Sequence, residues 1–340
     1  MRNVLIGLAV LSAIEMAGCS GSSPAQPSPS TPAPSSPTTG SLEGQTVSAI
    51  GRGALPRITV QVGTAAPQLS DASGHFHVDI AGQGRQDATA TGAAIVGRRT
   101  GFMVPSSDAV TLSLIPASFD LVSFDQMFRT TNDWLQRWTT APKLVIITSI
   151  LVFTSKTTGS FPAESEQIPE SDLVSLTDDL VKGLAALTGD SLSYSSIERE
   201  RVAAGKMVTV AREGQIVVGR YRGITGLTST VGFGRWADQP DGEVVGGSVY
   251  LDKEFDTTSE QRRSLRIHEL GHALGYNHVT GRSSVMNPTV GVEPTEFDRQ
   301  GASIAFQRAP GNRSPDIDPT TTTISSVASA HQPRWSARVP

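Results

Sequence analysis

The stretch from His268 to His278 constrains this chain more than any other part of its sequence. A helix places residues four apart on one face, so His268 and His272 can point at a single metal ion. Glu269 can reach a water on that metal without being a ligand itself. Gly275 can take the left-handed conformation that ends a helix, and the chain would then bring His278 back towards the metal. Three neutral imidazoles with one open position for water make a catalytic zinc arrangement.

The full pattern fixes three histidines, one glutamate and one glycine, and is therefore specific. From typical residue frequencies, it would arise by accident in a chain of this length on the order of once in 10^5. The alternative interpretation is an amphipathic helix with incidental histidines, and the combined spacing favours the metal site.

This stretch resembles the zinc-binding signature of the metzincin metallopeptidases. Members of that family also have a methionine turn beneath the metal. The segment Ser283–Pro288 is similar to that turn, with Met286 as its methionine. The short separation between His278 and Met286 is most similar to the matrixin branch. The resemblance is strict from His268 to Pro288 and looser over residues 138–309.

The resemblance implies a zinc endopeptidase that acts on protein or peptide substrates. In that family the three histidines hold Zn²⁺, here His268, His272 and His278. The glutamate, here Glu269, takes a proton from water and passes it to the leaving amine. Met286 would form an apolar floor under the metal. The implied fold is α+β, with a mixed twisted sheet and two main helices over residues 142–309.

Apolar periodicity predicts several elements within that segment. Leu144–Phe153 reads as a buried strand, and residues 171–187 read as a helix that Ser171 caps and Gly189 ends. Three further strands are predicted, two of them joined in a hairpin around the turn signal at 212–214. These strands are residues 207–210 and 216–218, which form the hairpin, and 227–231.

Gly246–Leu251 is predicted as a strand directly before the metal-binding helix. In metzincins the strand at this place borders the cleft, and a peptide substrate pairs with it through main-chain hydrogen bonds. The sequence also predicts that Thr257 or Thr258 caps the following helix, with Glu260 or Gln261 completing a capping box.

The N-terminus is similar to a bacterial lipoprotein signal over residues 1–19. A short apolar run ends in Met16-Ala17-Gly18-Cys19, which resembles a cleavage box, so Cys19 would carry a lipid. The alternative is a free cysteine in a signal peptide. Residues 20–41 are rich in Ser, Pro and Thr and read as a flexible tether.

Short alternating apolar runs between turn residues predict a small all-β sandwich over residues 42–115. The segment 69–76 is similar to a turn of carboxypeptidase-regulatory-like domains, and His75 and His77 are expected to face solvent. Residues 116–141 are an aromatic-rich connector, expected to pack between domains rather than to bind a ligand. Residues 310–340 lack periodicity and predict a disordered tail.

The net charge of −4 and the absence of a basic stripe argue against nucleic-acid binding. We expect a monomer in the bacterial cell envelope, anchored through Cys19 to a membrane, with the outer membrane favoured, or an extracellular protein. An alternative function is a surface binding or adhesion lipoprotein in which the metallopeptidase site is vestigial.

Overall fold

The structure is a computed structural model that describes residues 39–129, 133–320 and 334–338. It is mixed α/β, with more strand than helix. The predicted signal peptide, Cys19 and most of the predicted tether lie outside the described residues. Across the part that is described, no helix is both long and apolar enough to cross a membrane.

Two small sheets occupy residues 39–114. Their strands are β1 (Thr39–Ser48), β2 (Thr59–Val62), β3 (Gln68–Leu69), β4 (His75–Ala81), β5 (Gly84–Thr91), β6 (Arg98–Val104) and β7 (Val110–Leu114). The strand orders are β4-β1-β7 and β3-β2-β5-β6. Buried residues from both sheets, such as Val60 and Val78, belong to one hydrophobic cluster. The strand β1 begins before residue 42, so the last predicted tether residues are extended rather than flexible.

The turn before β4 is built as its sequence suggests. The Oδ1 atom of Asp71 accepts hydrogen bonds from the backbone N–H groups of Ser73 (2.8 Å) and His75 (2.9 Å). Gly74 has a φ of +79°, which a residue with a side chain rarely adopts. Along β4 the residues alternate between exposed and buried, so His75 and His77 face solvent as expected.

The rest of the chain forms one large sheet with helices on it. Its strands are β8 (Lys143–Ile147), β9 (Ser149–Val152), β10 (Ser160–Gln167), β11 (Ser196–Glu200), β12 (Met207–Thr209), β13 (Gln215–Arg222), β14 (Gly232–Asp238), β15 (Val244–Asp252) and β16 (Arg334–Arg338). Its helices are α1 (Leu121–Phe128), α2 (Glu170–Thr188), α3 (Ile224–Thr228), α4 (Lys253–Thr258), α5 (Arg262–Ala273) and α6 (Glu296–Phe306).

Strands β11, β8, β13 and β15 lie side by side and parallel, in that order. The next strand, β14, is antiparallel to β15, and β16 is antiparallel to β14. On the edge of β13 that faces away from β15, β8 pairs with the first part of the strand and β9 with its end. From β9 the sheet continues through β10 and β12. The main core contains residues of β8, β13 and β15 together with the inner faces of α2, α5 and α6.

The predicted hairpin is wrong. Strand β12 pairs with β10, whereas β13 is a parallel strand between β8 and β15. The turn signal at 212–214 is real, but β13 is buried along almost its whole length and gains more from central pairing. The strand predicted at 227–231 is also wrong, because residues 224–228 form the short helix α3.

The strand predicted as Gly246–Leu251 exists as part of β15, but it is not an edge strand. It pairs with β13 on one side and with β14 on the other. The strand nearer the edge is β14. It was not predicted, because Gly232 and Gly234 interrupt the apolar alternation that indicates a strand.

The C-terminal ends of the helices agree with the predictions better than their N-terminal starts do. Helix α2 ends at Gly189, which is left-handed, but Pro169 rather than Ser171 precedes it and no side chain caps it. The predicted caps Thr257 and Thr258 lie inside α4, where their hydroxyls donate to helix carbonyls. Helix α5 starts after Gln261 without a side-chain cap, so its position depends on packing.

Aromatic residues of the connector are buried. Phe124, Met127 and Phe128 of α1 are buried in the main core. The rings of Phe128 and Tyr276 lie 4.7 Å apart, edge to face. The carbonyl of Met127 accepts a hydrogen bond of 2.8 Å from the backbone of Asn277. The connector therefore supports the loop that follows α5.

The prediction of a disordered tail fails for residues 310–320 and 334–338. Asp316 is fully buried and accepts hydrogen bonds from Arg98 (2.9 Å) and Arg308 (2.7 and 2.8 Å). Residues 334–338 form β16. Buried ion pairs and backbone pairing hold these segments, and neither leaves an apolar period in the sequence.

Candidate metal centre

Helix α5 carries His268, Glu269 and His272 on its buried side. It ends in a Schellman motif at Gly275, whose φ is +98°. The N–H of Gly275 donates to the carbonyl of His272 (2.9 Å), and the N–H of Tyr276 donates to that of Gly271 (3.0 Å). The left-handed glycine turns the chain so that His278 returns to the helix.

The structure brings the three predicted histidines together. Their Nε2 atoms lie 3.2 Å apart for His268 and His272, 3.1 Å for His272 and His278, and 3.3 Å for His268 and His278. His268 and His272 are completely buried, and His278 is partly buried. Within the described residues, these three form the one group of histidine, cysteine or acidic side chains able to share a metal ion.

Backbone carbonyls fix two of the rings. The Nδ1 of His268 lies 2.8 Å from the carbonyl oxygen of Val285, and the Nδ1 of His272 lies 2.7 Å from that of Tyr276. A carbonyl oxygen only accepts, so each Nδ1 must carry the proton. In a neutral ring the Nε2 atom then presents its lone pair to the centre of the group.

These residues fit a zinc ion. His268 and His272 direct their Nε2 lone pairs to the centre of the group, where a metal ion would accept them, and the Nε2 of His278 lies within 3.3 Å of both atoms. Tetrahedral zinc with Zn–N bonds of about 2.0–2.1 Å has ligand nitrogens about 3.3 Å apart. Burial lowers the pKa of His268 to about 4, against the raising effect of its bond to Val285, and the nearby His278 lowers it further. A ring with this pKa stays neutral and available as a ligand at neutral pH.

Glu269 lies beside the histidines with an unusual environment for a carboxylate. It is fully buried, and within the described residues neither carboxylate oxygen has a hydrogen-bond partner. Burial raises its pKa well above the ordinary value for glutamate. A partnerless buried carboxylate costs free energy unless a water or another ligand completes it. It is therefore suited to exchange a proton with a molecule that enters the site.

Met286 packs against helix α5. It is fully buried, and a Cβ placed on Gly271 would come within 2.3 Å of its sulfur. The backbone carbonyl of Met286 also accepts a hydrogen bond of 2.9 Å from the N–H of Val279. Met286 thus contacts both helix α5 and the segment after His278.

Asp298, at the start of α6, organises this turn and was missed in the sequence. Its Oδ2 accepts a bond of 3.0 Å from the N–H of Val285, whose carbonyl in turn accepts from His268. Its Oδ1 accepts a bond of 2.5 Å from the hydroxyl of Ser284. The sequence shows only a capping-box position, Thr295 with Asp298, and the structure has that box as well.

Strand β14 lies against the same helix. A Cβ on Gly234 would come within 2.4 Å of the Cβ of His272 and 2.5 Å of the carbonyl oxygen of Glu269. A Cβ on Gly232 would lie 3.0 Å from the Oε1 of Glu269. These glycines allow the backbone of β14 to run beside the metal-binding residues.

Comparisons with known proteins agree with this geometry over part of the chain. Residues 232–305 match the family model of Matrixin, a family of zinc-dependent peptidases. That segment contains β14, the three histidines, Met286 and almost all of α6. No curated protein matches the chain.

A solved structure that gives a match is the Bacillus anthracis TIE protein, with 8% sequence identity and a TM-score of 0.19. The match covers 62% of this chain and 41% of that one, so the chain spans less than half the length of the matched structure. The matrixin match together with the histidine group supports a metzincin-like family and suggests a zinc metallopeptidase.

Proposed function

We propose that this protein is a zinc-dependent endopeptidase that hydrolyses extended protein or peptide substrates. One observation carries the proposal. The Nε2 atoms of three histidines converge, and Glu269, which follows His268 in the chain, is a buried carboxylate that has no hydrogen-bond partner within the described residues. A structural metal site has no use for such a carboxylate, whereas hydrolysis needs a base beside the metal.

In this proposal His268, His272 and His278 hold the ion, and the Val285 and Tyr276 carbonyls keep two of the rings in the ligating tautomer. A zinc ion held there would lower the pKa of a water and polarise the scissile carbonyl. Glu269 takes the proton of that water and later gives it to the leaving amine. Burial raises the pKa of Glu269, which strengthens it as a proton acceptor.

In this proposal the substrate binds along the edge of β14 that faces away from β15, where β16 lies in the structure. An extended peptide can add to the outer edge of a sheet through main-chain hydrogen bonds, with little dependence on its side chains. The approach of Gly234 to His272 and Glu269 would then bring a peptide on that edge next to the metal ligands.

We also propose the finer architecture and the location. The strand order β11-β8-β13-β15-β14, with α2 and α5 as main helices, supports a metzincin-like catalytic domain over residues 142–309. The two sheets with a common core support a small β sandwich before it. The lipid anchor at Cys19, the envelope location, the monomeric state and the absence of a nucleic-acid partner rest on sequence alone.

The test compares the full chain with Glu269→Gln, which keeps the size of the side chain and removes its basicity. We expect both proteins to bind about one zinc per chain, and the variant to cleave casein more slowly by about 10²–10⁴-fold. A matched control is Glu260→Gln, an exposed residue before the same helix, which should leave cleavage unchanged. Zinc in all three proteins with cleavage in none would favour the adhesion function with a vestigial site.

A further inference from the structure

The outer edge of β14 already carries a strand of this chain. Residues 334–338 form β16 and run antiparallel to β14, with Gly234 opposite Arg338 and Asp238 opposite Arg334. The opposite edge of β14 is paired with β15. Both edges of β14 are therefore occupied, and a further strand can pair with β14 only if β16 leaves.

The pairing lies at the metal centre. A Cβ on Gly234 would lie 2.4 Å from the Cβ of His272 and 2.5 Å from the carbonyl oxygen of Glu269, and Gly234 is also opposite Arg338, the last residue of β16. Because the strands are antiparallel, β16 runs from Asp238 towards Gly234, that is, towards the metal ligands. This is the direction in which any extended peptide on an antiparallel edge would approach the site.

We propose that residues 334–338 act as an internal competitor for the substrate edge, so that the chain restrains its own peptidase activity. The proposal rests on the peptidase function proposed above. A strand edge offers one row of backbone donors and acceptors, so β16 and a substrate exclude each other. A covalently linked segment competes at a high effective concentration, and the apparent affinity for substrate falls by the fraction of molecules with a free edge.

The restraint has a simple energetic form. Before a substrate can bind, β16 must be released, and the free energy of that release raises KM. The metal ligands and Glu269 stay unchanged. Removing the pairing should therefore raise kcat/KM mainly through a lower KM, by about tenfold, within the range typical of coupling between binding events. Zinc content should not change, since no ligand lies in β16.

The first variant replaces two adjacent residues, Ser336→Pro with Ala337→Pro. In an antiparallel strand alternate residues direct their backbone groups to the same neighbour, so one of the two prolines must remove a donor that faces β14. The matched control exchanges the side chains, Ser336→Ala with Ala337→Ser, and keeps both donors. A second variant ends the chain after Thr320 and removes β16 altogether.

Two measurements on the full chain and these variants test the proposal. Amide hydrogen exchange in β14 reports the pairing independently of catalysis. Cleavage of an unstructured fluorogenic peptide gives kcat and KM. We expect faster exchange at alternate amides of residues 232–238, and a lower KM, in the proline variant and the truncated chain but not in the control. A synthetic peptide of residues 331–340 should inhibit the truncated chain competitively.

Faster exchange with unchanged KM in both variants would overturn the proposal, because β16 would then be a structural strand that does not restrain the site. Exchange that matches the full chain in both variants would overturn it too. If exchange in the full chain becomes faster on dilution, β16 pairs with a second copy and the internal form of the restraint is wrong.

Failure of the peptidase function itself is recognised separately. In that case no variant cleaves the peptide. The binding of a labelled extended peptide is then measured by fluorescence anisotropy, with the full and the truncated chain each carrying Glu269→Gln. Tighter binding to the truncated chain would still support competition for the edge, and equal binding would overturn it.

Discussion

Asp298 is linked to the histidine group through the backbone of Val285. Its carboxylate accepts from Val285, and Val285 accepts from the ring of His268. In Asp298→Asn one acceptor oxygen becomes a donor that faces other donors, so the turn should shift and release the ring. We expect zinc affinity to fall by about 10–100-fold, as for other partners of metal ligands, and competition with a chelating dye would measure it.

The control for this change is Glu296→Gln, an exposed acidic residue in the first turn of the same helix. It changes the charge at the helix start by the same amount but touches neither the turn nor the histidines. Equal zinc affinities for the two variants would show that charge near α6, and not the contact with Val285, sets the affinity.

The histidines were predictable because their geometry is local. Two of them share a helical turn, and a glycine three residues further on ends the helix, so the sequence alone gives their arrangement. Asp298 was not predictable, because its bonds to Ser284 and Val285 cross a loop that has no periodicity. The role of Gly234 also escaped prediction, since a glycine shows neither face nor partner in a sequence.

At the scale of elements, Gly234 allows strand β14 and helix α5 to pack closely, because it has no side chain between them. In Gly234→Ala the new Cβ would lie 2.4 Å from the Cβ of His272, so strand and helix must move apart. We expect a loss of about 1–3 kcal/mol in the free energy of unfolding from overpacking, together with weaker zinc binding. Urea denaturation of the metal-free and metal-loaded proteins would separate the two effects.

Gly226→Ala provides the comparison. This glycine lies in α3, and a Cβ added there meets no atom within 4 Å. Its stability should stay the same or rise slightly, because alanine favours helix more than glycine does. A similar loss in both variants would mean that the close approach of β14 to α5 does not limit the packing.

Sheet topology was less predictable than the helices for the same physical reason. The apolar content of β13 and β15 marks them as buried strands, but which strands lie beside them depends on pairings across many residues. The sequence therefore identified the strand within β15 and misplaced it at the edge. Similarly, Arg98 and Asp316 are 218 positions apart, and no local sequence pattern predicts their ion pair.

At the scale of the whole molecule, Asp316 connects the first two sheets to the rest of the chain. Arg98 belongs to β6, and Arg308 follows α6, so the carboxylate joins β6 to the segment after α6. In Asp316→Asn the buried guanidinium of Arg308 loses its charged partner, and Arg98 keeps only its ion pair with Asp318. We expect a loss of about 3–5 kcal/mol in the free energy of unfolding. The exposed pair of Arg99 with Asp87 is the control, and Asp87→Asn should cost at most about 1 kcal/mol.

The same carboxylate predicts how stability depends on pH. Burial opposes ionisation of Asp316, but the charges of Arg308 and Arg98 outweigh it, so the pKa of this group lies below its ordinary value in the folded protein. A lowered folded pKa means that the unfolded state takes up the proton first as the pH falls. The stabilisation is then complete above the unfolded pKa of about 3.9 and declines below it. Urea midpoints of the full chain and of Asp316→Asn should differ by a constant amount near neutral pH and converge below that value. A difference that persists unchanged into stronger acid would show that Asp316 acts through its shape and hydrogen bonds, with no contribution from its charge.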